Sequence, residues 1–270
     1  ISGVLKEGRV LEGIRLLVGE VERARTNGIT PEELKRGKAE MLSFAENGYN
    51  DRTNRRNGEF VEACVQNFLE ETPILEPEYE LELVRKLDKS VTLADINALA
   101  KDIITNQNQV VTLFGPAKEG FEMPANATIE KNILEAQTRK YAPYQEAKAL
   151  GDSLVTNLPK SGSILSERSY KYGYTELTLS NGMKVYVRQT DFEPDEVNLK
   201  LFSMGGKNLY PDADMPNLTY LMAGATIGGV GQYDDLALEK MLAGKTATVA
   251  PYIDDDTEGM TGTSNVKDTE

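Results

Sequence analysis

The stretch Leu177-Thr178-Leu179-Ser180-Asn181-Gly182-Met183-Lys184-Val185-Tyr186-Val187 decides how this chain is read. Leu177 and Leu179 before the Asn-Gly pair, and Met183, Val185 and Val187 after it, place apolar side chains at alternate positions, the period of a strand with one covered face. Asn-Gly between two such runs is a strong hairpin signal, because both residues tolerate the positive φ that a tight turn demands. The alternation resumes at Val197, Leu199 and Leu201, stops at Ser203-Met204-Gly205-Gly206, and gives way to a short helix over 216–226. Residues 234–242 carry Leu236, Leu238, Met241 and Leu242 at helical spacing and end before Gly244. Residues 246–253 and 258–264 read as two strands joined through Asp254-Asp255-Asp256. Lys267-Asp268-Thr269-Glu270 reads as a helix start without its helix, so this unit is expected to be incomplete.

Upstream the period is helical. Val10, Ile14, Leu17 and Val21 share one face, and Asn27-Gly28 ends that helix. Ile29-Thr30-Pro31-Glu32-Glu33-Leu34 then combines a Thr cap, Pro in the first turn, a Glu placed for a capping box and an Ile29/Leu34 staple. Val91-Thr92-Leu93-Ala94-Asp95-Ile96 repeats the construction with Asp95 in the place of glutamate. Between them, Phe60, Cys64 and Phe68 with Val61, Val65 and Leu69 predict a helix ended by Thr72-Pro73, with Cys64 a lone buried thiol. Gln109-Val110-Val111-Thr112-Leu113-Phe114-Gly115-Pro116 is β-branched and apolar up to Gly-Pro, and predicts a buried strand. Residues 117–170 are polar and broken by Pro124, Pro143, Pro159 and Gly151, with one helix over 128–140, and read as a linker.

The chain has 43 acidic and 30 basic residues, a net charge of −13, which argues against nucleic acid and anionic membrane surfaces. It contains no apolar run long enough to span a bilayer. No leader is visible and residue 1 is Ile, so the true N-terminus is expected to lie elsewhere and no compartment can be assigned.

The chemistry of their atoms decides what the candidate sites can do. Asp254, Asp255 and Asp256 lack the alternate spacing and glycine of a calcium loop, and with the Asp212/Asp214 pair read as solvated turns. Gly224, Gly228, Gly229 and Gly231 follow a helix rather than a strand and have no Gly-Lys-Ser/Thr, so they read as a helix end rather than a phosphate cradle. Asn126-Ala127-Thr128 and Asn217-Leu218-Thr219 match the glycosylation tripeptide and carry little weight alone. With no histidine and one cysteine, no Ser-His or Cys-His pair exists. The expected catalytic, cofactor-binding and metal-ligating residues in these 270 residues are therefore none.

The words Leu179-Ser180-Asn181-Gly182-Met183 through Val187, then Ser203-Met204-Gly205-Gly206, then Leu221-Met222-Ala223-Gly224, resemble the opening of a repeat of the pitrilysin/insulinase family of zinc peptidases. The order Ile-Thr-Pro-Glu-Glu-Leu, Val-Thr-x-x-Asp-Ile and a segment ending Phe-Gly-Pro resembles the close of such a repeat. In the catalytic repeat of that family the helix bears an inverted zinc motif, H-x-x-E-H. Here Thr219-Tyr220-Leu221-Met222-Ala223 stand in its place, and Thr, Met and Ala supply no zinc ligand. The resemblance implies an α+β fold of two incomplete α/β repeats joined by an extended linker: residues 1–116 the C-terminal part of one repeat, 117–170 the linker, and 171–270 the N-terminal part of the next, non-catalytic repeat. It further implies a fragment of a zinc-dependent endopeptidase that contributes chamber wall and peptide-binding surface. No cofactor is expected in the fragment and zinc is expected in the parent, whose partners would be peptide or unfolded protein and its own remaining repeats. The alternative is a zinc-free scaffold or binding subunit of the same fold.

Overall fold

The structure, a computed structural model, describes residues 1–146, 151, 153–155 and 157–269. Parts of the expected linker, at 147–150, 152 and 156, and Glu270 of the expected helix start lie outside the described residues. The chain is α+β: helices dominate the first half and two small antiparallel sheets the second. It divides into two compact units, Ile1–Gly37 with Leu87–Lys148, and Lys38–Lys86 with Ala149–Glu270. These packing units are a separate matter from the repeats expected above.

In the first unit, α1 (Val10–Asn27) packs against α6 (Asn126–Thr138) and α5 (Leu93–Ile103). Ile14 of α1 and Ile129 and Ala136 of α6 are buried between them. Glu22 is fully enclosed and is held by Arg25 one turn on, with Nη2 to Oε2 at 2.6 Å. Gly28 ends α1 at φ 76°, a conformation that favours glycine, and a Cβ there would run into the Asn97 side chain. The contact is used: Asn97 Oδ1 accepts the Ile29 amide at 2.8 Å, tying the start of the next helix to α5. That helix, α2 (Pro31–Asn50), begins with the expected capping box. Glu33 N–H donates to Thr30 Oγ1 at 3.1 Å and Thr30 N–H to Glu33 Oε2 at 2.7 Å. The second box is present too, with Asp95 N–H to Thr92 Oγ1 at 3.3 Å and Thr92 N–H to Asp95 Oδ2 at 2.8 Å.

In the second unit, β1 (Ile164–Ser169), β2 (Thr175–Leu179) and β3 (Lys184–Val187) form one sheet in that order. The hairpin between β2 and β3 has a three-residue loop, Ser180-Asn181-Gly182. Leu179 accepts from Gly182 N–H at 2.9 Å and Gly182 alone takes a positive φ, 85°. This is the longer hairpin with glycine at its left-handed position, in which Asn181 Oδ1 receives the Met183 amide at 3.0 Å. The second sheet has the order β4-β6-β5, from β4 (Val197–Met204), β6 (Thr257–Ser264) and β5 (Thr248–Ile253). Pro251 is accommodated because β5 is an edge. Helix α7 (Met215–Ile227) lies against β5, α8 (Asp235–Met241) is capped by Asp234, and α3 (Asn57–Glu70) and α4 (Pro77–Ser90) complete the element list.

Two sequence expectations need correction, and the stretch expected as a linker holds a strand. Residues 109–116 form no strand, and Val110 and Phe114 are 87% and 92% exposed, because among the described residues nothing pairs with their backbone. Cys64 is exposed rather than buried, as are Phe60, Val61, Val65, Phe68 and Leu69 around it, since nothing covers the apolar side of α3 among the described residues. Strand β1 falls inside the stretch read as linker; its Ser-Glu-Arg-Ser run lacks an apolar period and owes its strand state to pairing with β2. The total accessible surface is 20,962 Å². A folded monomer of this length exposes about 11,600 Å², and two separate bodies of these sizes about 14,000 Å². Many large apolar side chains lie in the exposed surface, among them Phe44, Phe68, Val110 and Phe114.

Candidate functional site

The place where a zinc motif would stand is the middle of α7, and its surroundings are set by two glycines. Gly205 and Gly206 follow β4 and lay their backbone on the Asp254-Asp255-Asp256 turn. Gly205 N–H donates to Asp256 O at 2.9 Å, Lys207 N–H to Asp254 O at 2.8 Å and Asn208 N–H to Asp255 O at 2.8 Å. Gly206 takes φ 71°, and a Cβ there would sit 2.5 Å from Asp254 O and 2.7 Å from Thr257 N. So the aspartate run works through its carbonyls as the turn joining β5 to β6. The chain then passes through two short 3-10 turns, the second holding Asp212 and Asp214, and enters α7 with Pro216 in the first turn. Leu218 is buried and fixes which side of α7 faces the sheet.

At the motif positions Thr219 Oγ1 donates to Met215 O at 2.9 Å, folded back on its own helix, and Tyr220 and Leu221 are exposed. Thr219, Met222 and Ala223 present a hydroxyl, a thioether and a methyl where a zinc ion would need imidazole and carboxylate. These residues do not fit zinc. Among the described residues no three His, Cys, Asp or Glu side chains converge on a point that could hold a metal. Gly224 lies within α7, Gly228 ends it, and Gly229 and Gly231 take φ 76° and 62° in the turn closed by the Val230–Tyr233 bridge. Asn126 and Asn217 both lie in the first turns of helices.

Two polar clusters stand out in the second unit. Glu176 on β2 is buried under Arg168 of β1, which holds it through Nε–Oε1 at 3.0 Å and Nη2–Oε2 at 2.9 Å. The Arg168 hydrogen bond keeps this carboxyl below its ordinary range, against the opposing pull of burial. Lys245, Thr246, Asn265 and Asp268 form the other cluster. Sequence reasoning did not single out either. The Asn265-x-x-Asp268 spacing was the available signal: it is the spacing of a cap, and the Asp268 amide does donate to Asn265 Oδ1 at 2.8 Å. An open groove of about 440 Å³ is lined by Glu46, Tyr49, Glu78, Glu82, Arg85 and Lys267. Most of its charges are partnered locally, with Lys267 Nζ 2.8 Å and Arg85 Nη2 3.3 Å from Glu46 and Arg52 Nε 3.3 Å from Glu78. Such a groove offers polar contacts to an extended chain and no general acid or base aimed at one point.

No family model matches the chain. Curated relatives nevertheless define a class: the chain is similar over most of its length to zinc proteases, which bears out its resemblance to the pitrilysin/insulinase type. A protein of Arabidopsis thaliana named zinc protease PQQL-like is 30% identical over 228 residues, covering 83% of this chain and 23% of the relative. The probable zinc protease PqqL of Haemophilus influenzae is 25% identical over 193 residues, 70% of this chain and 20% of the relative. That of Escherichia coli is 24% identical over 253 residues, 92% of this chain and 27% of the relative. The chain thus spans about a fifth to a quarter of the length of these relatives. Among solved structures, the periplasmic protease PqqL from Escherichia coli aligns with a TM-score of 0.42 at 21% identity, over 94% of this chain and 28% of that one. A mutant of the ferredoxin protease FusC, in complex with Arabidopsis ferredoxin, aligns with a TM-score of 0.47 at 16% identity, over 97% and 29%.

Proposed function

We propose that these 270 residues are a non-catalytic stretch of a zinc-dependent endopeptidase, contributing chamber wall and peptide-binding surface to a parent in which another repeat holds the zinc. In this reading residues 1–116 close one repeat, 117–170 join, and 171–270 open the next. The single observation that carries it is the pairing of zinc-protease relatives along most of the chain with a donor-free stretch at the motif's place, Thr219, Met222 and Ala223. In the parent, zinc would polarise the scissile carbonyl and the motif glutamate would activate water. The residues of this chain would act earlier, on the extended substrate, through open sheet edges and a groove lined by charges of both signs.

The test incubates the chain and its full-length parent separately with an unstructured peptide, with and without a chelator. Chelator-sensitive cleavage by the parent and none by the 270-residue chain is the expected outcome. Cleavage by the chain itself, or one zinc per chain retained after mild chelation and dialysis, would overturn it. An inactive, zinc-free parent would establish the scaffold alternative in its place.

A further inference from the structure

The sheet β1-β2-β3 has two unlike faces, because side chains alternate along each strand. One face carries Leu177, Val185 and Val187, while on the other Arg168, Glu176 and Tyr186 stand in one row across the three strands. Tyr170 and Tyr174 close the hairpin beside that row, with Tyr170 N–H donating to Tyr174 O at 2.7 Å. Side-chain contacts place them on the same face. The Tyr170 and Tyr186 rings are 5.0 Å apart, Lys184 Nζ lies 3.7 Å from Glu176 Oε1, and the Arg188 guanidinium sits 5.7 Å over the Tyr174 ring. In a chain of net charge −13 this face sets Arg168, Lys184 and Arg188 against a single carboxylate. That carboxylate, Glu176, is buried and already held by Arg168 at both oxygens.

The turn joining β1 to β2 adds a fourth tyrosine and a further cation, Lys171. Tyr172 and Gly173 take φ 60° and 77°, and Tyr174 N–H donates to Lys171 O at 3.2 Å. This is the two-residue hairpin turn whose first central position is ordinarily Asn, Asp or Gly. A tyrosine there is strained, and Tyr172 is 83% exposed, so packing in its own unit does little to offset the strain.

Tyrosine and arginine fixed on a rigid element lose little freedom on binding, and they are the side chains that dominate recognition surfaces. We propose that this face binds an acidic peptide segment, its carboxylates against Lys184 and Arg188 and its remaining bulk against the tyrosines. This rests on the reading of the chain as part of a peptidase, and names the class of substrate segment it selects. Charge complementarity decides the occupant. The carboxylate excess of the chain repels an acidic segment elsewhere, and here cations lie beside rings that exclude water. A sheet face is flat, so it suits a segment laid along it rather than a small molecule enclosed by it.

Fluorescence anisotropy tests it on the full-length parent, with chelator present so that no cleavage intervenes, and on the 270-residue chain. The probes are a labelled Gly-Ser peptide with tyrosines set in a run of glutamates, and its glutamine and lysine counterparts. The glutamate probe is expected to bind about tenfold or more tighter than either counterpart, and to lose most of that margin between about 0.1 and 1 M salt. Lys184→Gln with Arg188→Gln removes the margin. Tyr172→Asn weakens binding about threefold or more yet does not lower the thermal midpoint, since asparagine tolerates the left-handed turn position. Equal affinity for the glutamate and glutamine probes overturns the proposal, and this comparison decides even where a variant does not fold. Binding that folded variants leave unchanged overturns it too. So does a glutamate preference present in the 270-residue chain and absent from the parent, because the parent then covers the face with its own polypeptide. Self-association of the chain that the Lys184→Gln, Arg188→Gln pair abolishes makes a second copy the occupant instead. A zinc-free, inactive parent that keeps the glutamate preference retains this inference and sinks only the peptidase reading; an active zinc peptidase without the preference does the reverse.

Discussion

Asn265 Nδ2 donates to Asn47 Oδ1 at 3.2 Å, joining α2 to the end of β6 across 218 residues of sequence. Both side chains also converge on Thr246, with Asn265 Nδ2 3.2 Å and Asn47 Nδ2 3.0 Å from its hydroxyl oxygen. The Thr246 amide in turn donates to Asp268 Oδ2 at 3.0 Å, and Lys245 Nζ lies 3.2 Å from Asp268 Oδ1. Asn265 and Asp268 are buried, so the network replaces water on each of them and fixes how the second half of α2 meets β5 and β6.

Removing one member strands the others. Asp268→Ala leaves the part-buried Thr246 amide without its acceptor and is expected to cost about 1–3 kcal/mol, whereas Asn47→Ala, at a half-buried position, should cost about 0.5–1.5 kcal/mol. Urea unfolding of the two variants and their double mutant measures this. The double mutant should cost less than the two singles together, because one network is lost once. Strict additivity would mean the two residues act apart.

The same region sets a response to acid. Burial pushes the Asp268 carboxyl up, but the Thr246 amide and Lys245 together outweigh it and hold it below its ordinary value. Glu46 is likewise lowered, first by its hydrogen bond to Lys267. A lowered carboxylate contributes stability above its unfolded value, near about 4, that is lost as pH falls through the folded one. Asp51 runs the other way: burial first, then Asp195, Glu196 and Glu59, raise it, so its charge opposes folding at neutral pH. Asp51→Asn should therefore stabilise the chain at pH 7 and make little difference at pH 3, while wild type loses stability below about pH 4. Thermal midpoints from pH 3 to 7 check both signs; a variant less stable than wild type at pH 7 would refute the assignment for Asp51.

Thr30 offers a local test in the first unit. Thr30→Ala removes the acceptor of the Glu33 amide and should cost about 0.5–2 kcal/mol, with Thr30→Ser nearly neutral. Hydrogen exchange should show protection lost in the first turn of α2 and unchanged in the hairpin around Gly182. Equal losses at both places would mean the chain unfolds as one body.

What could be read from the sequence was what neighbours in sequence decide. The Thr30 and Thr92 boxes and the hairpin near Asn181-Gly182 depend on residues within about four positions, and all are present. Burial of Cys64 and pairing of residues 109–116 depend on polypeptide elsewhere, and the same apolar patterns that signal a covered face do not say whether the cover lies in this chain. That Thr219, Met222 and Ala223 carry no imidazole, carboxylate or thiolate follows from residue type alone, with no fold needed. The Asn47–Asn265 tie was not legible, because nothing in either local sequence points to a partner 218 residues away.

Gly206 shows a second limit of composition. As one of many glycines it reads as loop, yet its φ of 71° and its approach to Asp254 and Thr257 leave no room for a side chain. Gly206→Ala should destabilise the second unit by about 1–3 kcal/mol, through left-handed strain and displacement of the Asp254-Asp255-Asp256 turn. Gly120→Ala, at φ 79° in open space, should cost only the strain, about 1 kcal/mol. Parallel denaturant titrations of the two variants separate close approach from φ alone, and equal costs would remove the packing argument.

The apolar side of α3 supplies the last expectation, and Cys64 is its built-in probe, being the one cysteine of the chain. Phe68 is 85% exposed, so Phe68→Ser should change the stability of the isolated chain by no more than about 0.5 kcal/mol, against about 3–5 kcal/mol for truncating a buried phenylalanine. In the folded chain Cys64 should react with a thiol reagent at the rate of an exposed thiol, without denaturant. If the face is covered in the full-length parent, the same thiol there reacts slowly and Phe68→Ser destabilises the parent by the larger amount. Measuring both proteins by thiol labelling and unfolding distinguishes a surface helix from an uncovered one: slow labelling in the isolated chain would show that α3 finds its cover within these 270 residues, and fast labelling in both would show that the face stays open to solvent.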